Sequence, residues 1–452
     1  MQKHKKLFGT DGIRGKVNQF PVSPETVLRI GMAAALALRK KQGRNMVLIG
    51  KDTRLSGYMI ESALTSGICA MGMNVILVGP IPTPGVAFLT KTLRLDAGVV
   101  ISASHNPYDD NGIKFFSSRG LKLPDEVEDR IEEMALDEGF LKKRPGGKEI
   151  GKAFRLEDAR GRYIEYIKST VPKNETLEGM KIVVDCANGA AYRITPHLME
   201  ELGAEVIAIN DSPDGMNINA SCGSMDTEGL RQAVLAHGAD LGVAHDGDAD
   251  RTILVDEKGE TVDGDHMLGI WGRELKAEGR LPGDTVVATV MSNLGVERYL
   301  EGQGIKFLRA KVGDRFVTEQ MLKGGFMLGG EQSGHIVNFH LNTTGDGPIT
   351  ALHMVHLVKK LGMPLSEMRA AIPVYPQALE NVTVKTRINP AGIPGLAELI
   401  KKAEKELAEN GRVLVRPSGT EPKIRVMVEG KDGGTVKRLV REISCFIQEK
   451  TA

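Results

Sequence analysis

The chain has 452 residues, 41% hydrophobic and 26% charged, the balance of a soluble globular protein with room for about three domains. Lys and Arg total 59 against 58 Asp and Glu, a net charge of +1, so no overall field draws the chain to nucleic acid or an anionic membrane. Cys69, Cys186, Cys222 and Cys445 form no C-x-x-C pair, so neither a disulfide framework nor a zinc cage is indicated, and reduced thiols in the cytoplasm are the simpler reading.

No apolar run follows the basic stretch Met1–Lys6. The longest apolar stretches, near Gly31–Leu38 and Ile68–Val78, fall short of the ~18 residues a membrane span requires, and a cytosolic location is expected. Phe8-Gly9-Thr10-Asp11-Gly12-Ile13-Arg14-Gly15 reads as a glycine-punctuated polar loop carrying one arginine. Ser23 and Pro24 suit the N-cap and first position of a helix. Apolar runs predict strands at Met46–Ile49, Asn74–Val78 and Ala97–Ile101, separated by helical segments. They run into the polar stretches Gly50-Lys51-Asp52-Thr53-Arg54, Gly79–Pro84 and Ser102-Ala103-Ser104-His105-Asn106-Pro107.

Lys142–Lys152 reads as a linker. Within it Gly146–Ala153 mimics a Walker A phosphate loop, but Ala153 lacks the metal-binding hydroxyl and no strand precedes it. A second set of strands is predicted at Lys181–Asp185, Glu205–Ile209 and Asp240–His245, and a third at Asp284–Val290, Ile305–Ala310 and Gly325–Leu328. Their last members lead into Asp246-Gly247-Asp248-Ala249-Asp250-Arg251 and Gly330-Glu331-Gln332-Ser333-Gly334-His335. Prolines 364, 373 and 376 mark a further boundary. The tail changes type, with an amphipathic helix over Gly395–Asn410, strands Arg412–Arg416 and Lys423–Glu429, and a final helix through Val436–Ile447. The expected fold is therefore α/β: three related α/β domains with mostly parallel mixed sheets plus a smaller C-terminal α+β domain around one central cleft. Their expected bounds are 1–155, 156–256, 257–370 and 371–452.

Alternating Asp246, Asp248 and Asp250 would share one face of an extended segment and could converge on one cation, the bland alternative being a solvated acidic turn. An EF-hand is excluded because Arg251 takes the position of the required glycine. Oxygen-only ligands favour a hard cation, Mg²⁺ first. Ser104, at the end of a buried strand, is a nucleophile, a phosphate carrier or a turn residue, and no Gly-x-Ser-x-Gly elbow supports a serine hydrolase. A phosphoryl group on Ser104 beside three aspartates would leave the site strongly anionic, so Arg14, His105, Lys114 and Arg251 are the expected counter-charges. Glu331 and Ser333 suit adjacent hydroxyls of a sugar ring, or a capped turn. Arg416, Ser418, Gly419 and Thr420 suit a phosphate, with Arg425 on the next strand, or a glycine hairpin.

Phe8–Gly15, Ser102–Pro107, Asp246–Arg251, Gly330–His335 and Arg416–Pro422, in that order, resemble the α-D-phosphohexomutase superfamily over essentially the whole chain. Gln332, with Val312-Gly313-Asp314-Arg315 and Gly161-Arg162-Tyr163-Ile164, is similar to the bacterial phosphoglucosamine mutase branch; phosphomannomutase/phosphoglucomutase enzymes tend to have Met at that position. The resemblance implies an isomerase with Ser104 as phosphoserine, and Mg²⁺ bound by Asp246, Asp248, Asp250 and the Ser104 phosphate. Glu331 and Ser333 would hold the sugar's 3- and 4-hydroxyls. Arg416, Ser418, Gly419 and Thr420 would grip the phosphate that is not reacting. Lys114, His335, Arg14 and His105 would supply proton transfer and charge stabilisation. The implied reaction converts glucosamine 6-phosphate to glucosamine 1-phosphate through a sugar 1,6-bisphosphate, feeding UDP-N-acetylglucosamine and the cell wall. The expected partner is a small hexosamine phosphate. A homodimer is suggested by the family, and an activating kinase or autophosphorylation would supply the Ser104 phosphate. The alternatives are phosphomannomutase/phosphoglucomutase activity and a Mg²⁺-dependent sugar phosphatase.

Overall fold

The computed structural model describes residues 7–9, 11–39, 43–137, 139, 144–386, 388–417 and 422–451. Two compact units result: Met1–Val290 with Phe307–Ala370, and Met291–Lys306 with Ala371–Ala452.

The first unit contains three sheets. Ala97–Ile101 is buried at every position and lies inside a seven-stranded sheet, as its unbroken apolar composition requires of a strand covered on both faces. The sheet runs in the order Phe8–Gly9, Gly12–Lys16, Asp110–Ser117, Ala97–Ile101, Met46–Lys51, Asn74–Pro80, Ala153–Arg155. Met46–Lys51 pairs in parallel with both Ala97–Ile101 and Asn74–Pro80, whereas Asp110–Ser117 returns antiparallel. The second sheet has the order Thr261–Val262, Thr252–Asp256, Leu241–His245, Lys181–Asp185, Glu205–Ile209. The third is Lys306–Ala310, Thr285–Thr289, Leu328–Gly330, Ile336–Asn338.

One device recurs in all three. A buried strand runs into a polar loop, and the chain returns at once as an antiparallel neighbour: Ala97–Ile101 with Asp110–Ser117, Leu241–His245 with Thr252–Asp256, Leu328–Gly330 with Ile336–Asn338. The first and third returning strands are absent from the sequence reading. Gly12–Lys16, read there as part of a loop, is a strand paired with Asp110–Ser117, because its residues complete the edge that the returning strand leaves open. The strand expected at Gly325–Leu328 begins at Leu328 instead. Gly325, at φ 67, ends the Asp314–Gly324 helix, and glycine takes that left-handed position without a Cβ penalty. Ser23 caps the Pro24–Leu38 helix as expected, accepting from the Thr26 N–H.

The second unit is a three-stranded antiparallel sheet, Gln377–Thr383, Lys423–Gly430 and Gly411–Pro417, covered by the helices Leu396–Leu407 and Gly433–Thr451. The Leu294–Gly302 helix belongs to this unit, and the Leu294 N–H donates to the buried Glu429 at 2.9 Å while Glu429 pairs with Arg412 at 2.6 Å. Among the described residues, no helix is long and apolar enough to cross a membrane.

In the first unit, Asp346 caps the Gly347–Leu361 helix by accepting from the Ile349 N–H at 2.9 Å. Its other oxygen accepts from the Tyr163 hydroxyl at 2.8 Å and the Asn342 amide at 2.7 Å. Burial still pushes this carboxyl up to about 6 from its ordinary 3.8. A raised carboxyl binds its proton more tightly when folded, so the stability it contributes is complete below about pH 4 and lost as pH rises through 6. That rise corresponds to about 3 kcal/mol. In urea unfolding, the parent-minus-Asp346→Asn difference in stability is expected to fall by up to about 3 kcal/mol between about pH 4 and pH 7; a difference that stays flat with pH would contradict this account.

Candidate active site

Ser104 stands in the loop that ends Ala97–Ile101, with 1% of its surface exposed and a backbone φ of 52. A non-glycine residue in the left-handed region costs about 1–2 kcal/mol, so something must hold it there. Arg54, fully buried at the end of the neighbouring parallel strand, does so with all its nitrogens. Its Nε meets Asp52 at 2.8 Å, Nη1 donates to the carbonyls of Pro107 and Asp110, and Nη2 donates to those of Ser104 and Asn106, both at 2.8 Å. Asp52 also accepts from the Ser102 hydroxyl at 2.6 Å, and Ser102 accepts from the Ser104 N–H at 2.9 Å. The outcome is a serine hydroxyl that donates to Asp246 Oδ2 at 2.5 Å, with His105 Nδ1 at 3.4 Å from the same oxygen.

The three aspartates converge within 4.8 Å of one another, all buried. They do so from a turn rather than from the extended segment their alternation suggests. Ala249 N–H closes the turn on the Asp246 carbonyl at 3.0 Å, with Ala249 at φ 52. Gly247 lets this turn approach the serine loop, since a Cβ there would lie 2.7 Å from the Ser104 carbonyl oxygen. Burial, then the like charges of Asp250 and Asp248, raise the Asp246 carboxyl well above its ordinary range. Burial opposes ionisation of Asp250 too, but Lys114 and His335 hold it well below. Lys114 is buried, with Nζ 2.9 Å from Asp248, 3.3 Å from Asp250 and 3.3 Å from Asp11; these carboxylates overcome burial and raise it well above its usual value. Arg14 donates to Asp11 at 2.5 Å and reaches the Ala103 carbonyl at 3.5 Å. Arg251 lies with Nε 3.9 Å from Asp250, and its N–H donates to Asp246 at 3.2 Å.

These charges close into a ring. From Asp11 the path runs to Lys122 at 2.5 Å, to Asp314 at 2.5 Å, and to His335 Nε2 at 3.7 Å. His335 Nδ1 then faces Asp250 at 3.7 Å, and Lys114 returns to Asp11. The Gly345 backbone N also lies 3.2 Å from His335 Nε2. Burial disfavours a second proton, but Asp250, Asp314 and Glu331 push its pKa up to about 9. His105 shifts the other way, to about 4, through burial and then Arg251 and Arg14. Glu331, raised by burial, accepts from the Gly313 N–H at 3.1 Å, and Ser333 sits half-buried in the turn that Gly334 N–H closes on the Glu331 carbonyl.

Ten of the residues expected from sequence thus meet within the first unit: Arg14, Ser104, His105, Lys114, Asp246, Asp248, Asp250, Arg251, Glu331 and His335. In the second unit, Arg416 is directly opposite Arg425 in the antiparallel pair, each with a buried Nε that has no hydrogen-bond partner, as a site for an anion requires. Ser418, Gly419 and Thr420 lie outside the described residues. The sequence reading assigned no role to Asp52, Arg54, Thr83, Asn219, Asp11 or Lys122. Of these, Asp52–Arg54 and Thr83, whose hydroxyl donates to Asp248 at 2.6 Å, follow parallel strands of the sheet just as Ser104 does. That position was the signal available for them.

Four family models match the chain in order. They are phosphoglucomutase/phosphomannomutase α/β/α domain I over residues 5–142, domain II over 161–259, domain III over 263–375 and the C-terminal domain over 379–444. Phosphoglucosamine mutase of Thermodesulfovibrio yellowstonii is 56% identical over 441 residues, covering 97% of this chain and 98% of its own. That of Citrifermentans bemidjiense is 51% identical over 446 residues, covering 99% and 98%. Among solved structures, a phosphoglucomutase/phosphomannomutase family protein of Burkholderia thailandensis superposes with a TM-score of 0.82 at 23% identity, covering 99% of this chain and 98% of that one. N-acetylphosphoglucosamine mutase of Aspergillus fumigatus, in complex with GlcNAc-6P and magnesium, gives 0.71 at 17% identity, covering 99% and 96%. At such identities these two likenesses speak for the fold, whereas the domain models and the close relatives speak for descent: the chain belongs to the phosphoglucomutase/phosphomannomutase family.

Proposed function

We propose that this chain interconverts glucosamine 6-phosphate and glucosamine 1-phosphate through a phosphorylated Ser104 and a sugar 1,6-bisphosphate. The observation that carries the reading is the Ser104 hydroxyl, 2.5 Å from Asp246 in a buried trio of carboxylates that Lys114 only partly neutralises, in a chain 56% identical to a phosphoglucosamine mutase. The phosphoryl group would pass from Ser104 Oγ to the sugar's O1, O1 giving its proton to the enzyme and Oγ gaining one as its bond to phosphorus breaks; once the bisphosphate has turned over, its O6 phosphoryl group would pass to Oγ, the serine proton going to the enzyme while the freed O6 gains one. His105 and His335 are the proposed proton carriers. Lys114 and Arg14, held among carboxylates, stabilise charge on the phosphoryl group in transit. Glu331 and Ser333 orient the sugar hydroxyls, and Arg416 with Ser418, Gly419 and Thr420 is the proposed grip on the other phosphate. One such loop comes from each of the four proposed domains, 1–155, 156–256, 257–370 and 371–452.

The aspartate trio suits Mg²⁺. Buried Asp248 Oδ1 and Asp250 Oδ1 lack hydrogen-bond partners, and all donors are oxygens. Asp246, Asp248, Asp250 and the Ser104 phosphate would hold the ion. Bound there, it would offset negative charge that Lys114 and Arg251 leave uncompensated.

Ser104→Ala is expected to lower kcat by at least on the order of 10³-fold. Intact mass after treatment with glucosamine 1,6-bisphosphate should show one added phosphate in the parent and none in the variant. The glucosamine phosphates should have the highest kcat/KM when compared with glucose and mannose phosphates. A preference for mannose would favour phosphomannomutase activity, and net release of inorganic phosphate would favour a phosphatase.

Removal of one repelling charge separates the metal's role from that of the fold. Asp246→Asn should raise the thermal midpoint of the metal-free protein, because Asp246 ionises against burial and two like charges. It should also abolish the stabilisation by Mg²⁺ expected of the parent, about 2.7 kcal/mol at a hundredfold excess over Kd. Equal Mg²⁺ responses in the two proteins would contradict the assignment.

A further inference from the structure

We infer that Asn219 is a positioning residue for the phosphoryl-carrying serine, fixing the Ser104 loop to the sheet that carries the aspartate trio. The inference rests on the mutase reading and extends it to a residue outside the catalytic loops.

Arg54 holds the shape of the Ser104 loop, but it stands in the same sheet as that loop, so its bonds cannot set the distance from Ser104 to Asp246. Asn219 can. Its side-chain amide donates to the carbonyls of Ser104 at 2.9 Å and Asn106 at 3.1 Å, the same two oxygens that Arg54 Nη2 engages. Asn219 belongs to the segment around the second sheet. Its own N–H donates to the Ala187 carbonyl at 2.9 Å. Asp185, buried at the end of Lys181–Asp185, accepts from the N–H groups of Ala187 and Gly223 at 2.9 Å each and so fastens that segment on both sides of Asn219. Lys181–Asp185 pairs directly with Leu241–His245, the strand that ends in the aspartate turn.

Two further details fit this role. Asn219 is at φ 56, a left-handed conformation asparagine tolerates better than most residues, and it aims the amide at the carbonyls. Gly247 of the aspartate turn has no side chain where one would meet the Ser104 carbonyl at 2.7 Å and the Asn219 amide at 2.9 Å. Serine loop, aspartate turn and Asn219 therefore interlock at one point. The amide of Asn219 is committed to backbone oxygens, so its loss should shift Ser104 relative to Asp246 and slow phosphoryl transfer while leaving sugar recognition alone.

The test compares the parent with Asn219→Ala and Asn219→Asp, the latter of the same shape but without the donor. Steady-state kinetics, thermal midpoint, and the rate at which glucosamine 1,6-bisphosphate phosphorylates Ser104, followed by intact mass, are measured on the full chain. Both variants are expected to lose about 10- to 100-fold in kcat and in the phosphorylation rate, as a misplacement on the order of 1 Å does. KM should stay within about threefold and the midpoint within about 3 °C, below the shift that ~1 kcal/mol produces in a domain of ~150 residues. Transfer at the parental rate in Asn219→Asp, or a loss that follows a falling midpoint, would overturn the inference. A parent that takes up no phosphate would sink the mutase reading and this inference together; a parent phosphorylated no faster than its variants sinks the inference alone.

Discussion

Three buried carboxylates forced together are the constraint from which the rest of the first unit follows. Asp246, Asp248 and Asp250 lie within 4.8 Å of one another, and buried like charges at that range raise one another's pKa values. Lys114 answers Asp248 and Asp250 directly, and the Arg251 side chain lies 3.9 Å from Asp250 as well. Lys114 is itself shared with Asp11, which needs Lys122, which also serves Asp314, which faces His335, which returns to Asp250. Alternation of sign around this ring gives each buried or half-buried charge an opposite neighbour on both sides. It also ties the electrostatics of Lys114 to those of His335 through residues that touch neither the serine nor the trio.

The sheets supply the geometry that the charges need. Each of the three ends a buried parallel strand in a polar loop and brings the chain straight back as an antiparallel neighbour, so each loop is a hairpin tip with both ends anchored in hydrogen-bonded ladders. Backbone strain then becomes affordable at the tips. Ser104 and Ala249 both adopt left-handed φ values near 52, and in each case the turn aims a functional side chain, the Ser104 hydroxyl in one loop and the flanking Asp248 and Asp250 in the other.

Sequence carries some of this and not the rest, for definable reasons. Ala97–Ile101, Lys181–Asp185 and Glu205–Ile209 are readable to the residue because unbroken apolar runs bounded by polar loops have few other solutions. Asp110–Ser117 and Gly12–Lys16 are not, since asparagine, glycine and a buried lysine contradict strand propensity and are tolerated only because the site requires them there. The aspartates are legible as a motif, yet the motif suggests an extended face while the chain uses a turn; side-chain spacing in sequence does not distinguish the two. Lys122, Asp314 and Asn219 act across 100 or more positions, and nothing local announces such partners.

Arg54 shows how the two levels join. A lone arginine at a strand end reads as surface charge, and a fully buried guanidinium would ordinarily be prohibitive. Here burial is tolerated because a planar fork with fixed donors matches what the Ser104 loop leaves unsatisfied: four outward-facing carbonyls and the Asp52 carboxylate. A lysine offers three donors from one point and could not span carbonyls from Ser104 to Asp110. The loop's conformation is therefore set less by its own residues than by the side chain it encloses. Because Ser102 links that same Asp52 to the Ser104 N–H, the hydroxyl, its backbone and its buried support move as one body. A body of that kind can be aimed only from outside itself, which is why the contacts reaching it from the second sheet, rather than those within its own, determine where the hydroxyl points.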